Sequence, residues 1–194
     1  MLEPEHWEID GTRSKLAFTL RHLIVSEIRG EFARWGGEMW LTPEQIERSR
    51  VAVWIDLASV DTGSPERDAH LRSPEFLDVT RFSRAAFSSA DVAPRSDSEA
   101  TITGRLSLHG LTDQVELTVT EARSWIDDDG VMRAGYAVRG TINRQTFGLH
   151  WNQDLDVGGL VVGDEVELIA RIEMVRTADA VRAPSPERPT AGAR

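Results

Sequence analysis

The chain has no cysteine among its 194 residues, which excludes disulfides and thiol chemistry. It also has no run of lysine or arginine. With 32 acidic against 22 basic residues, the net charge of −10 repels nucleic acid and anionic membrane surfaces. No stretch approaches the ~20 apolar residues that a spanning helix needs. The opening MLEPEHWEID has neither a basic n-region nor an apolar h-region, so no secretory signal is read there and the expected location is the cytoplasm. Signatures of chemistry are missing as well. The five histidines, at positions 6, 22, 70, 109 and 150, show no HxH or HExxH spacing, so no metal site is expected. There is no GxSxG elbow, and GGLVVGDE lacks both the GxGxxG fingerprint and the P-loop lysine. Asp127-Asp128-Asp129-Gly130 lacks the glutamate an EF-hand loop needs, Val138 standing there, and reads as an Asp-Gly hairpin turn.

What is present is alternation. Val51, Val53, Ile55 and Leu57 share one face, while Ala52, Trp54 and Asp56 share the other. Ile102, Gly104, Leu106 and Leu108 repeat the pattern. So do Val115, Leu117 and Val119 after a turn at Gly110, and Val166, Leu168, Ala170 and Ile172 near the end. Half-apolar strands joined by short turns indicate an antiparallel barrel or sandwich of one domain, about residues 1–176. From 177 to 194 the chain is rich in Pro and Ala with almost no bulky apolar residue, which predicts a disordered tail. Helices are few. Thr42 and Gln45 have the spacing of a capping box over a turn or two, and Ser64-Pro65 and Ser73-Pro74 each place a capping hydroxyl before a proline at a first helical position. In the second of these regions Arg67, Asp68, His70 and Arg72 crowd together, with Asp68 and Arg72 at the i, i+4 spacing of a helical ion pair.

Seven segments in order make a pattern: WEID, SKLAFTLRHL, SEIRGEF, SVDTGSPERDAHLRSPEF, AAFSS, GRLSLHGLTDQVEL and INRQTFGL, with RDAHLRS the most distinctive. From about Trp7 to Met174 the chain resembles the YceI-like family of lipid-binding proteins. The resemblance implies a lipocalin-like eight-stranded antiparallel β-barrel with one or two short helices. Its apolar interior would hold an isoprenoid or similar long-chain amphiphile, and family members commonly pair, which implies a homodimer. An interior of this size is filled by its own side chains or holds one slender ligand. Gly104 beside Leu106 and Ala170 beside Leu168 leave local room for the latter.

On that footing the expected lining is Phe18, Phe32, Trp54, Phe76, Phe82 and Phe87, with Leu106, Leu117, Phe147 and Trp151; the plain alternative for each is ordinary core packing. A buried methylene contributes about 0.8 kcal/mol, so ~15 buried carbons would supply at most roughly 12 kcal/mol before ordering costs. Headgroup contacts would then set selectivity. At the mouth the expected residues are His22, Arg67, Asp68, His70, Arg72 and Arg144, offering charge-assisted hydrogen bonds to a phosphate or quinone oxygen. The alternative is that Arg67 and Asp68 pin the loop, that His22 and His70 are structural, and that Arg144 is a surface strand residue.

The leading expectation is non-catalytic binding, storage or transport of a polyprenyl phosphate or isoprenoid quinone, with no cofactor besides the bound lipid. A fatty-acid or amide binder, a lipid-modifying enzyme using Asp68 and His70 as acid and base, and an interaction module with a filled core are the alternatives. Convergence of those two side chains on an open cavity would favour the enzyme; bonds from them to backbone amides would favour binding.

Overall fold

The computed structural model of the protein describes residues 3–22, 26–152 and 162–177, without the side chains of residues 21, 22 and 26. The expected tail, beyond its first residue Thr177, lies outside the described residues. So does the side chain of His22.

Among the described residues, eleven strands form one antiparallel sheet: β1 (Glu5–Ile9), β2 (Lys15–His22), β3 (Ser26–Phe32), β4 (Trp35–Leu41), β5 (Arg50–Asp56), β6 (Val60–Asp61), β7 (Arg84–Ser96), β8 (Glu99–Leu108), β9 (Leu111–Ile126), β10 (Met132–Asn143) and β11 (Val162–Arg176). The first six are three long strands, each broken once. Strand β2 pairs with β3 and β1 with β4, while β3 pairs with β6 and β4 with β5. β11 then pairs with β10 on one side and with both β1 and β2 on the other, closing the wall as an eight-stranded barrel. The break between β1 and β2 is an Asx turn, in which Asp10 accepts from the backbone and hydroxyl of Thr12. The β8–β9 hairpin turns on His109 and Gly110, both at positive φ (52° and 78°), the pairing a two-residue hairpin requires.

Period 2 sorts the side chains as the sequence indicates. Phe18 and Leu20, Phe87, Leu106 and Leu108, and Val115 point inward and belong to the main buried cluster, with Val53, Ile55 and Leu168 packed on it. A smaller cluster of Trp7, Met39, Ala134 and Met174 fills the opposite end. The room left at Gly104 is not empty: a Cβ there would lie 2.5 Å from the Phe87 ring, which occupies it. Gly30 accommodates the Phe18 ring in the same way.

Helix α1 (Pro65–Arg72) lies across one end, capped by Ser64, whose hydroxyl accepts from the Arg67 amide at 3.5 Å. Ser73-Pro74 starts no second helix; Ser73 caps the end of α1, and the chain turns through a left-handed Asp78 (φ 45°) as Leu77 is buried. The stretch after Thr42 gives only a 3-10 turn (Ile46–Arg48) that begins after Gln45 without a side-chain cap. Asp127 accepts from the Asp129 and Val131 amides and Gly130 takes φ 79°, so the acidic run is a hairpin turn.

Candidate functional site

Under α1 the barrel wall lines an apolar chamber of about 110 Å³. Its wall includes Phe18, Leu20, Phe32, Leu57, Val60, Leu71, Phe76, Ala85, Leu106, Leu108 and Leu168. Outside it lies a larger vestibule of about 530 Å³ that shares Phe18, Leu20, Leu71 and Phe76 with the chamber. Its remaining wall mixes Ile28, Trp151 and Val162 with the polar Ser64, Glu66, Arg67, His70 and Glu75. Deeper in the barrel, a third void of about 90 Å³ shares Ile55, Leu106 and Leu168 with the chamber and is bounded by Phe87 and Leu117. A path of decreasing polarity thus runs from the α1 end toward the barrel centre. Of these three voids, the vestibule is the one in the range of ordinary ligand sites, about 300–1,000 Å³.

Helix α1 positions the polar part. At helical spacing Glu66, Arg67, His70 and Leu71 fall on one face, the face turned to the vestibule. The His70 ring meets Trp151 edge-on at 4.5 Å and Phe76 at 6.1 Å, and its Nε2 lies 3.1 Å from Glu75 Oε2. The other charged residues of the segment brace the helix. Asp68, 6% exposed, accepts from the Thr62 amide and hydroxyl (2.9 and 2.6 Å). Arg72 donates to the carbonyls of Ala58 and Val60 (2.9 and 2.6 Å), so the i, i+4 pair with Asp68 does not form. Arg67 donates from Nε to Thr62 Oγ1 and from Nη2 to the Thr62 carbonyl, leaving Nη1 without a partner among the described residues. Asp68 and His70 therefore do not converge on the cavity as an acid–base pair.

Arg144, 1% exposed, borders the inner chamber, but all five of its N–H donors are committed. They reach the carbonyls of Gly163, Leu149, Trp151 and Val162 and the Asp164 carboxylate. Burial lowers its pKa, and the Asp164 charge opposes that effect. It clamps the chain after β10 to the start of β11.

Of the lining residues expected from sequence, Phe18, Phe32, Phe76 and Leu106 border the inner chamber. Phe87 and Leu117 border the deeper void, and Trp151 the vestibule. Trp54 stands on the outer face, 39% exposed, with the Arg84 guanidinium 5.1 Å from its ring centroid. Phe82 packs on His109 at 4.7 Å and covers Gly110, away from these voids. Phe147 is buried in the core as part of a 3-10 turn (Arg144–Phe147). Sequence reasoning missed Leu20, Ala85, Glu66 and Glu75. Period 2 along KLAFTLRH would have found Leu20, and helical spacing from His70 would have found Glu66.

A family model described as a YceI-like domain matches residues 7–174. Protein YceI of Salmonella newport is 36% identical over 167 residues, covering 86% of this chain and 84% of that protein. A UPF0312 protein of Pectobacterium carotovorum is also 36% identical over 167 residues, with 86% and 83% covered. Among solved structures, Burkholderia cenocepacia BcnA superposes with a TM-score of 0.74 at 21% identity, covering 85% of this chain and 98% of that one. A polyisoprenoid binding domain from Saccharophagus degradans, implicated in plant cell wall breakdown, superposes with a TM-score of 0.64 at 16% identity, covering 88% and 98%.

Proposed function

The chain belongs to the YceI-like family, and from that premise we propose that it binds a long-chain isoprenoid lipid, a polyprenyl phosphate or an isoprenoid quinone, and stores or carries it without catalysis. The observation that supports this most is the graded path: a part-polar vestibule that shares four side chains with an apolar chamber. Hydrocarbon transferred along it loses contact with water at about 0.8 kcal/mol per methylene, while the headgroup stays among Glu66, Arg67, His70 and Glu75. The likeness to the polyisoprenoid binding domain from Saccharophagus degradans supports the isoprenoid assignment.

The inner chamber of about 110 Å³ admits only the leading segment of such a tail. Deeper entry would need movement of Ile55, Leu106 and Leu168, the side chains that the chamber shares with the void bounded by Phe87. The same reading has the protein act in the cytoplasm as a homodimer. Beyond Ser89, β7 has no strand partner on one side among the described residues, but Pro94 interrupts that edge, so pairing would use outer faces. Sedimentation equilibrium reads the oligomer directly. For the cargo, protein purified without detergent is extracted with organic solvent and weighed intact by native mass spectrometry. The expected result is a prenyl lipid in the extract and a matching mass difference on the intact protein. An extract free of lipid, from protein that also binds none when it is supplied, would favour an interaction module instead.

A further inference from the structure

The charges of the mouth do not suit the two headgroups equally. A phosphate needs several cationic donors, and three arginines lie near enough in the fold to be considered. Arg144 has no donor left, and Arg72 is turned to the backbone carbonyls of Ala58 and Val60. Among the described side chains only Arg67, of the three, borders the vestibule, with two of its three guanidinium nitrogens held by Thr62. Against it stand two carboxylates on the same wall. Glu75 is paired with His70, and Glu66 has no partner among the described residues.

We infer that the mouth selects an uncharged, oxygen-bearing headgroup over a phosphorylated one, and that Glu66 and Glu75 are the specificity-determining residues. This rests on the lipid-binding reading above and decides between its two ligands. Among the described side chains of the vestibule a dianionic head would meet two carboxylates, one of them paired with His70, and one partly used guanidinium, in a protein whose net charge of −10 adds to the repulsion. A carbonyl or hydroxyl oxygen needs only one donor, which Arg67 Nη1 supplies. A flat ring would also find an aromatic wall, since Phe76 and Trp151 lie 6.0 Å apart and His70 stands against both.

The test uses three probes with one tail: geranylgeraniol, geranylgeranyl monophosphate and geranylgeranylamine, titrated against the whole chain in 0.15 M salt. The alcohol is expected to bind at least about tenfold tighter than the phosphate. Glu66→Gln combined with Glu75→Gln should narrow that ratio, provided circular dichroism shows the variant folded. Phosphate binding equal to or tighter than the alcohol would overturn the inference while leaving the cargo reading standing, and so would a ratio the double variant does not move. Tighter binding of the amine would overturn the uncharged head in favour of a cationic one. Binding of none of the three would overturn the cargo reading itself, and this inference with it.

Discussion

Arg144 holds five acceptors at once, so its removal leaves buried carbonyls and the Asp164 carboxylate unpaired. Arg144→Met should cost about 3–5 kcal/mol in urea denaturation without changing headgroup preference, a split that a ligand-contacting residue would not show. Acid sensitivity is also local. The Thr12 hydroxyl first, then Arg133, hold Asp10 below the ordinary aspartate value of 3.8 against the opposing effect of burial, and Arg133 with the Val131 amide does the same for Asp127. A carboxyl lowered by folding contributes fully above its unfolded value and loses that contribution as pH falls through the folded one. The melting temperature should therefore drop below about pH 4, and the gap between wild type and Arg133→Met should shrink over the same range. A gap independent of pH would contradict this. Residues read singly were the least legible part of the sequence. The resemblance puts Trp54 among the lining aromatics, although the alternation of Val53 and Ile55 places it on the other face. Arg144 offered no signal, because its partners lie up to twenty positions away in chain.

Helix α1 depends on tethers more than on an apolar face, since Asp68 is its one fully buried residue. Arg72→Gln removes two bonds to the neighbouring strand segment, and amide exchange over residues 64–72 should quicken while the barrel strands keep their protection. Uniform protection in the variant would show that the tethers are dispensable. The β2–β3 hairpin makes a different prediction, because the ring of Phe18 fills the place of a missing Cβ at Gly30. Gly30→Ala should destabilise by about 1–3 kcal/mol, and Phe18→Leu in the same chain should recover part of it, read from denaturation midpoints. Strands were legible because their period is short and their apolar residues adjacent. Ser73-Pro74 was not, since the same dipeptide serves a helix start or a helix end, and only the burial of Leu77 decides between them. The room at Gly104 failed for the same reason: the ring that fills it comes from the neighbouring strand.

At the scale of the molecule, closure is what makes an interior. The wall runs past three irregular stretches, one in each broken strand, and still closes on β11, so the barrel has an inside with the Trp7 cluster toward one end and α1 at the other. Barrel and family were readable from the seven ordered segments, but the size of the hollow was not, because it depends on which side chains face one another across the interior. The central claim is that hydrocarbon enters through the vestibule into the chamber beneath α1. Ala85, 2% exposed, lines that chamber, and Ala85→Leu adds three carbons where the tail would sit. The deciding measurement is native mass spectrometry of wild type and Ala85→Leu with equal geranylgeraniol. One bound molecule per chain on wild type and a strong loss of occupancy on a variant that melts within about 5 °C of it is the predicted result. Equal occupancy of both folded proteins would contradict the account.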